Sequence, residues 1–265
     1  MTTPTRSDVL DLLLHGDLEL EGRLMEASNT TLRAVITHDG TTARCVYKPI
    51  RGERPLRDFP DGTLAGREVA AYAVSEATGW GIVPPTVLRD GPLGPGACQL
   101  WIEEDDEEPP AGFVPADAVP ADWHPIMSAR DPAGKPYVLA HAGDDAVARV
   151  AVLDTVINNA DRKAGHLLRA ADGHVYGVDH GICFHAVDKL RSILWGLAGE
   201  PLPDSVGEVL TTLVEALDGP LGSTLALYLT PREVAATRRR AQALRESARF
   251  PLPPEDRHIV PWPPV

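Results

Sequence analysis

The chain has 265 residues, with 38 acidic and 25 basic side chains and a formal net charge of −13. That length supports one or two domains around a full hydrophobic core, and the charge excludes a phosphate-neutralising nucleic-acid surface and argues against an unaided anchor on anionic lipid. Three scattered cysteines give neither a disulfide framework nor a zinc site, and no run approaches the length of a membrane span, so a cytoplasmic chain with no integral membrane association is expected.

The elements follow in chain order. Residues 7–15 read as a short helix with Ser7 as a cap and Gly16 as its stop. The period then changes to two over 17–25, 31–38 and 42–48, with His38-Asp39-Gly40 as a turn, which gives a meander of three strands ending on Lys48. Pro49 ends the pairing because it has no N–H to donate. A polar loop fills 49–62, a helix capped by Thr63 runs to Thr78 and stops at Gly79, and strands are expected at 82–88 and 97–103. Six consecutive acids, Glu103 to Glu108, open a Pro- and Asp-rich stretch that reads as a solvated linker to about residue 136. An apolar helix follows over 146–157, then a loop, a short hairpin, further helices including a capping box at Thr230, and a Pro-rich tail.

The chemistry concentrates in residues 158–184. Asp161 sits in the loop after the apolar helix, and Asp179 follows the second strand of the hairpin. Two loop carboxylates joined by a short hairpin meet at one end of it. That geometry suits one carboxylate that orients a hydroxyl and another that holds a metal. The basic residues are also lopsided, since only Lys48, Lys135, Lys163 and Lys189 are lysines. Arginine preference of this kind looks like GC-rich codon bias, and it makes each lysine worth asking about.

The segment Asp161-Arg162-Lys163-x-x-His166, hairpin, Asp179-His180-Gly181 resembles the catalytic and metal-binding loops of the protein-kinase-like superfamily. It is nearest in texture to the phosphatidylinositol 3-/4-kinase branch and the HipA-like bacterial kinases. The resemblance covers roughly residues 17–185. It implies an α+β, bilobal kinase-like fold, with an N-lobe of antiparallel sheet plus helix over 1–103 and a mainly helical C-lobe over 104–265, together one unit. It implies an ATP-dependent phosphotransferase using Mg2+ or Mn2+. In that reading Asp161 is the catalytic aspartate, Lys163 screens the transferring phosphoryl group, and Asp179 holds the metal. Lys48 binds phosphate with Glu68 on the next helix as its ion-pair partner. The turn containing Ser28 and Asn29 lies over the phosphates, and Glu103 and Glu104 mark the hinge that meets adenine.

The sequence departs from the family at His166, which stands where a metal-binding asparagine is usual. An imidazole favours manganese or another transition ion over magnesium. Asn158 and Asn159 lie close enough in sequence to replace the lost ligand or to cap the loop. The same departure keeps open a nucleotide-binding pseudokinase or regulator, or an adenylyl transferase. A metal-dependent hydrolase built on His166, Asp179, His180 and His185 is the remaining alternative. The acceptor is equally open among a small metabolite, a protein and an inositol-type lipid, with Arg162, Lys189 and Arg191 available as a local site for an anion.

Overall fold

Alternation of apolar and polar residues builds the first part of the chain into one antiparallel sheet. The computed structural model describes residues 5–24, 29–60, 62–105 and 108–265. Strands β1 (Asp17–Arg23), β2 (Leu32–His38), β3 (Thr41–Pro49), β4 (Thr86–Gly91) and β5 (Gly94–Leu100) pair in the order β1-β2-β3-β5-β4. Every other residue of β2 faces inward, so Ala34 and Ile36 meet Cys45, Val87 and Cys98 beneath Leu12 and Leu13 of helix α1 (Arg6–His15). The cap of α1 is Thr5 rather than Ser7, because Thr5 and Asp8 form a reciprocal capping box. Strands β4 and β5 both lie offset from their expected bounds. Pro84 and Pro85 cannot donate to a ladder, so pairing begins at Thr86, while Ile82 and Val83 turn into the helical core.

Helix α2 (Leu64–Thr78) is buried nearly all round. It joins a second core with α3 (Asp145–Ile157), α4 (Asp204–Leu217), α5 (Pro220–Leu225) and α6 (Pro231–Ser247). Thr63 makes no side-chain cap on α2. The Glu53 carboxylate does so from the preceding loop, accepting from the Leu64 N–H at 3.1 Å and the Ala65 N–H at 2.8 Å. One carboxylate thereby satisfies two of the first-turn donors that a helix leaves unpaired.

The stretch expected to be a linker is folded. Strands β6 (Ala111–Pro115), β7 (Trp123–Arg130) and β8 (Pro136–Ala142) form a second antiparallel sheet in the order β6-β8-β7. Its central strand buries Leu139, and Met127 of β7 packs on the same core as α3, so burial overrides a Pro- and Asp-rich composition. A short hairpin, β9 (Leu167–Arg169) and β10 (Val175–Gly177), follows α3 as expected. The whole is an α+β fold, with α1 packed on a five-stranded antiparallel sheet and α2 joined to a second, mainly helical core that carries the three-stranded sheet and the short hairpin. Among the described residues no helix is long and apolar enough to cross a membrane.

Candidate functional site

Three segments far apart in sequence converge on one ammonium. Pairing of β3 with β5 leaves Lys48 at the end of its strand, and α2 runs beneath it. Lys48 Nζ lies 2.5 Å from Glu68 Oε1 and 2.9 Å from Asp179 Oδ1. The other oxygen of Glu68 accepts the His180 N–H at 3.0 Å, so one buried carboxylate orients both the lysine and the backbone after Asp179. Asp179 has φ near 59°, in the left-handed region that Asp tolerates better than most residues. Strain of this kind persists where surrounding contacts over-determine the backbone.

The charges are coupled. Burial works against the Lys48 ammonium, but Asp179 and Glu68 outweigh it and hold its pKa above the ordinary value. Lys48 in turn holds the Asp179 carboxyl well below the usual carboxylate range, against burial. Burial pushes Glu68 up, with Lys48 opposing. His166 Nε2 approaches Asp179 Oδ2 at 3.5 Å. Burial pushes His166 down to about 4, and the nearby cations Arg162, Lys48 and Lys163 add to that shift while Asp179 opposes it. At neutral pH the site therefore holds an ionised carboxylate beside a neutral imidazole.

That pair fits a divalent cation in donor chemistry, since both ligands are already in the deprotonated form that metals require. It is a sparse set. Among the described residues no group of three or more His, Cys, Asp or Glu side chains could hold a metal, and the buried Nδ1 of His166 has no partner to fix its tautomer. The four-ligand hydrolase arrangement is therefore not formed. The His180 ring turns away, its Nε2 accepting from Arg162 Nη2 at 2.8 Å, and His185 stands edge-on to Phe59 and accepts from the Val187 N–H.

Asp161 and Lys163 lie beside this cluster, 3.7 Å apart between Oδ2 and Nζ. Burial pushes the Asp161 carboxyl up to about 6, with the Asp179 charge adding and Lys163 and Arg191 opposing. Neither neighbouring asparagine is a ligand. Asn158 ends α3 in the left-handed conformation and donates to the carbonyls of His185 and Val187. Asn159 donates to Asp154 and accepts the Asp161 N–H at 2.9 Å, which sets the loop.

Asn29, Thr30 and Thr31 line a small cavity with Lys48, Glu68 and Asp179. Ser28 lies outside the described residues. The Asn29 side chain accepts the Arg54 N–H at 2.8 Å, and the Thr30 N–H donates to the Gly52 carbonyl. A Cβ on Gly52 would fall 2.3 Å from the Thr30 Cβ, so only glycine permits this approach. Glu103 is drawn to Arg44 at 3.1 Å, and neither it nor Glu104 lines that cavity.

The expected anion site loses two of its three members. Lys189 is held by Asp58 at 2.5 Å. Arg162 is fully buried and forks onto Asp154 at 2.8 and 2.9 Å, with further bonds to the His166 and Val178 carbonyls. It ties α3, the Asp161 loop and the strand before Asp179 into one unit. Arg67 does the same for α2, donating to the Cys183 carbonyl at 2.7 Å and to Glu233 at 2.6 Å from beneath Phe59. Sequence reading missed Arg67, Asp154 and the structural role of Arg162, because no local pattern reveals the partner of a buried arginine.

No family model matches the chain. In the structure of a Helicobacter pylori proinflammatory kinase, CtkA, 94% of the chain aligns with 90% of this one at 10% identity and a TM-score of 0.47. Protein Rv2133c of Mycobacterium tuberculosis is 47% identical over 267 residues, covering 97% of this chain and 96% of that one. With identity of that order sustained over nearly the whole of both sequences, the chain belongs to the family of Mycobacterium tuberculosis Rv2133c.

Proposed function

We propose that the protein is an ATP-dependent phosphotransferase, with residues 1–103 forming the nucleotide-binding lobe and 104–265 carrying the catalytic and metal-binding loops. The observation that carries this reading is Lys48 Nζ held between Glu68 and Asp179, from a strand, a helix and a loop up to 131 residues apart. An ordinary surface pair does not recruit two carboxylates from such separate elements, one of them buried. Lys48, pre-oriented by Glu68, meets the α- and β-phosphates. The turn at Asn29 covers them, and the chain leaving β5 at Glu103 and Glu104 meets adenine. Asp179 and His166 would hold Mg2+ or Mn2+, which would screen phosphate charge.

In the transfer, the acceptor hydroxyl oxygen forms its bond to the γ-phosphorus as the bond from phosphorus to the bridging oxygen of ADP breaks. The hydroxyl proton passes to Asp161, and Lys163 meets the charge on the transferring oxygens. The cavity at Lys48 is only about 40 Å³, so phosphates enter by displacing the Lys48–Asp179 contact. That contact, with His166 in place of an asparagine, supports a second reading as a nucleotide-binding regulator.

Thermal shift with ATP and Mg2+ or Mn2+ tests the first step. Wild type rises in Tm and Lys48→Met does not, and absence of a shift with any nucleotide and metal defeats both readings. Label from γ-phosphate, transferred to any acceptor including water, identifies the phosphotransferase. Asp161→Asn lowers that transfer by about 10²–10⁴ while the thermal shift persists. Binding without transfer leaves the regulator, and transfer from the α-phosphate indicates an adenylyl transferase.

A further inference from the structure

A cavity of about 350 Å³ lies under the loop between β3 and α2. Its wall is mixed, with Ile50, Leu56, Phe59 and Leu64 beside Glu53 and Arg54. The volume falls within the range of small-molecule sites. Its position is specific. Glu53 and Leu64 line both this cavity and the one at Lys48 and Asp179. On one side the loop is tied to the phosphate turn, through Arg54 N–H to Asn29 and Thr30 N–H to Gly52. On the other it is tied to the segment after Asp179, through Asp58 to Lys189 and Phe59 edge-on to His185. The cavity thus opens beside the phosphate end of the cleft, and the hinge stretch at 101–105 does not line it.

The loop holds three arginines and three carboxylates, and among the arginines Arg54 lines the cavity. Arg51, Arg54 and Arg57 fall within seven residues and are all exposed. Among the described residues, no hydrogen bond or ion pair engages their guanidinium groups. The described carboxylates of the same loop are already engaged, Glu53 on the first amides of α2 and Asp58 on Lys189. The Arg54 guanidinium, beside apolar side chains of the wall, suits an anion attached to an apolar body.

We propose that this cavity is the acceptor pocket, taking a small molecule with an apolar ring-sized body and one anionic group held by Arg54, its hydroxyl turned toward the Lys48–Asp179 end. The proposal rests on the phosphotransferase reading for its role, and on the cavity alone for its ligand chemistry. The probe is 8-anilinonaphthalene-1-sulfonate, which carries two aromatic groups and one sulfonate, with uncharged N-phenyl-1-naphthylamine as its control. The full chain binds the sulfonate saturably and in preference to the neutral amine. Arg54→Ala weakens the sulfonate by about tenfold, the worth of one hydrogen bond to a charged group, and removes the preference. Leu56→Trp fills the cavity and abolishes binding of both probes.

Both residues are exposed, and circular dichroism confirms that each variant folds. Displacement of the sulfonate by phosphatidylserine vesicles, dependent on Arg54, identifies the anion as a lipid headgroup, and failure to displace identifies a soluble acid. Absence of saturable binding to wild type, or binding unchanged by both substitutions, overturns the pocket. A wild type that takes up the sulfonate through Arg54 yet gains no stability from ATP and metal overturns the phosphotransferase reading and leaves the anion pocket standing.

Discussion

Asp161 has the environment of a base tuned toward neutrality. Its carboxyl is pushed up to about 6, chiefly by burial, and a general base acts only when ionised. On the phosphotransferase reading, transfer therefore falls as pH drops through about 6 and is flat above it. Lys163→Met removes a charge that favours the ionised form, so the inflection moves to higher pH. A pH–rate profile checks both, and an inflection near 4, the ordinary carboxylate value, would place Asp161 outside the proton transfer. At this scale the sequence was informative where chemistry restricts the residue type. A lysine ending a strand, a glutamate on the next helix and an aspartate after a hairpin were all legible. The structure brings those three together within 3 Å of one nitrogen. Arg67 and Arg162 were not legible in their roles, since their partners, Glu233 and Asp154, are defined only once the helices pack.

Elements are held in place by these buried arginines. Arg162 and Asp154 are 0% and 1% exposed, so removing either leaves an uncompensated charge in the interior. Arg162→Met costs about 3–5 kcal/mol of unfolding free energy, and Arg162→Met with Asp154→Leu recovers much of it. Urea denaturation measures both. Glu233 serves two elements with one carboxylate. It completes the capping box of α6 with Thr230 and accepts from Arg67 on α2. The capping box was readable because its residues lie three apart. The sheet of β6, β7 and β8 was not, because its strands carry prolines and their connections carry aspartates, which composition assigns to solvent. Only the core beneath Leu139 and Met127 makes their burial favourable.

Across the whole molecule, the Pro-rich tail reaches back to the site. The Ile259 carbonyl accepts from the Ser192 N–H and the Trp195 indole, and the Pro264 carbonyl accepts from the Ala164 N–H, all at 2.8–2.9 Å. Ala164 follows Lys163, so the tail supports the loop that carries the site. Removing residues 258–265 speeds amide exchange at Ala164 and Ser192 and leaves α4 and α6 protected, as exchange mass spectrometry can follow. Unchanged exchange at those two amides would show that the tail does not hold the loop.

By itself the sequence determined the alternation that builds the first sheet, the helix that carries Glu68, the hairpin between two carboxylates, and the residue types proposed to meet phosphate and metal. These are local properties, fixed by period, caps and turn residues within a few positions. Only the tertiary structure decided that residues 111–142 form a sheet, that Arg162 is a buried brace and not an anion ligand, and that the loop between β3 and α2 encloses a cavity lined by Arg54. Each of those depends on burial against residues distant in sequence, and the cost of burying a charge or an unpaired amide is decided by partners that no local pattern names.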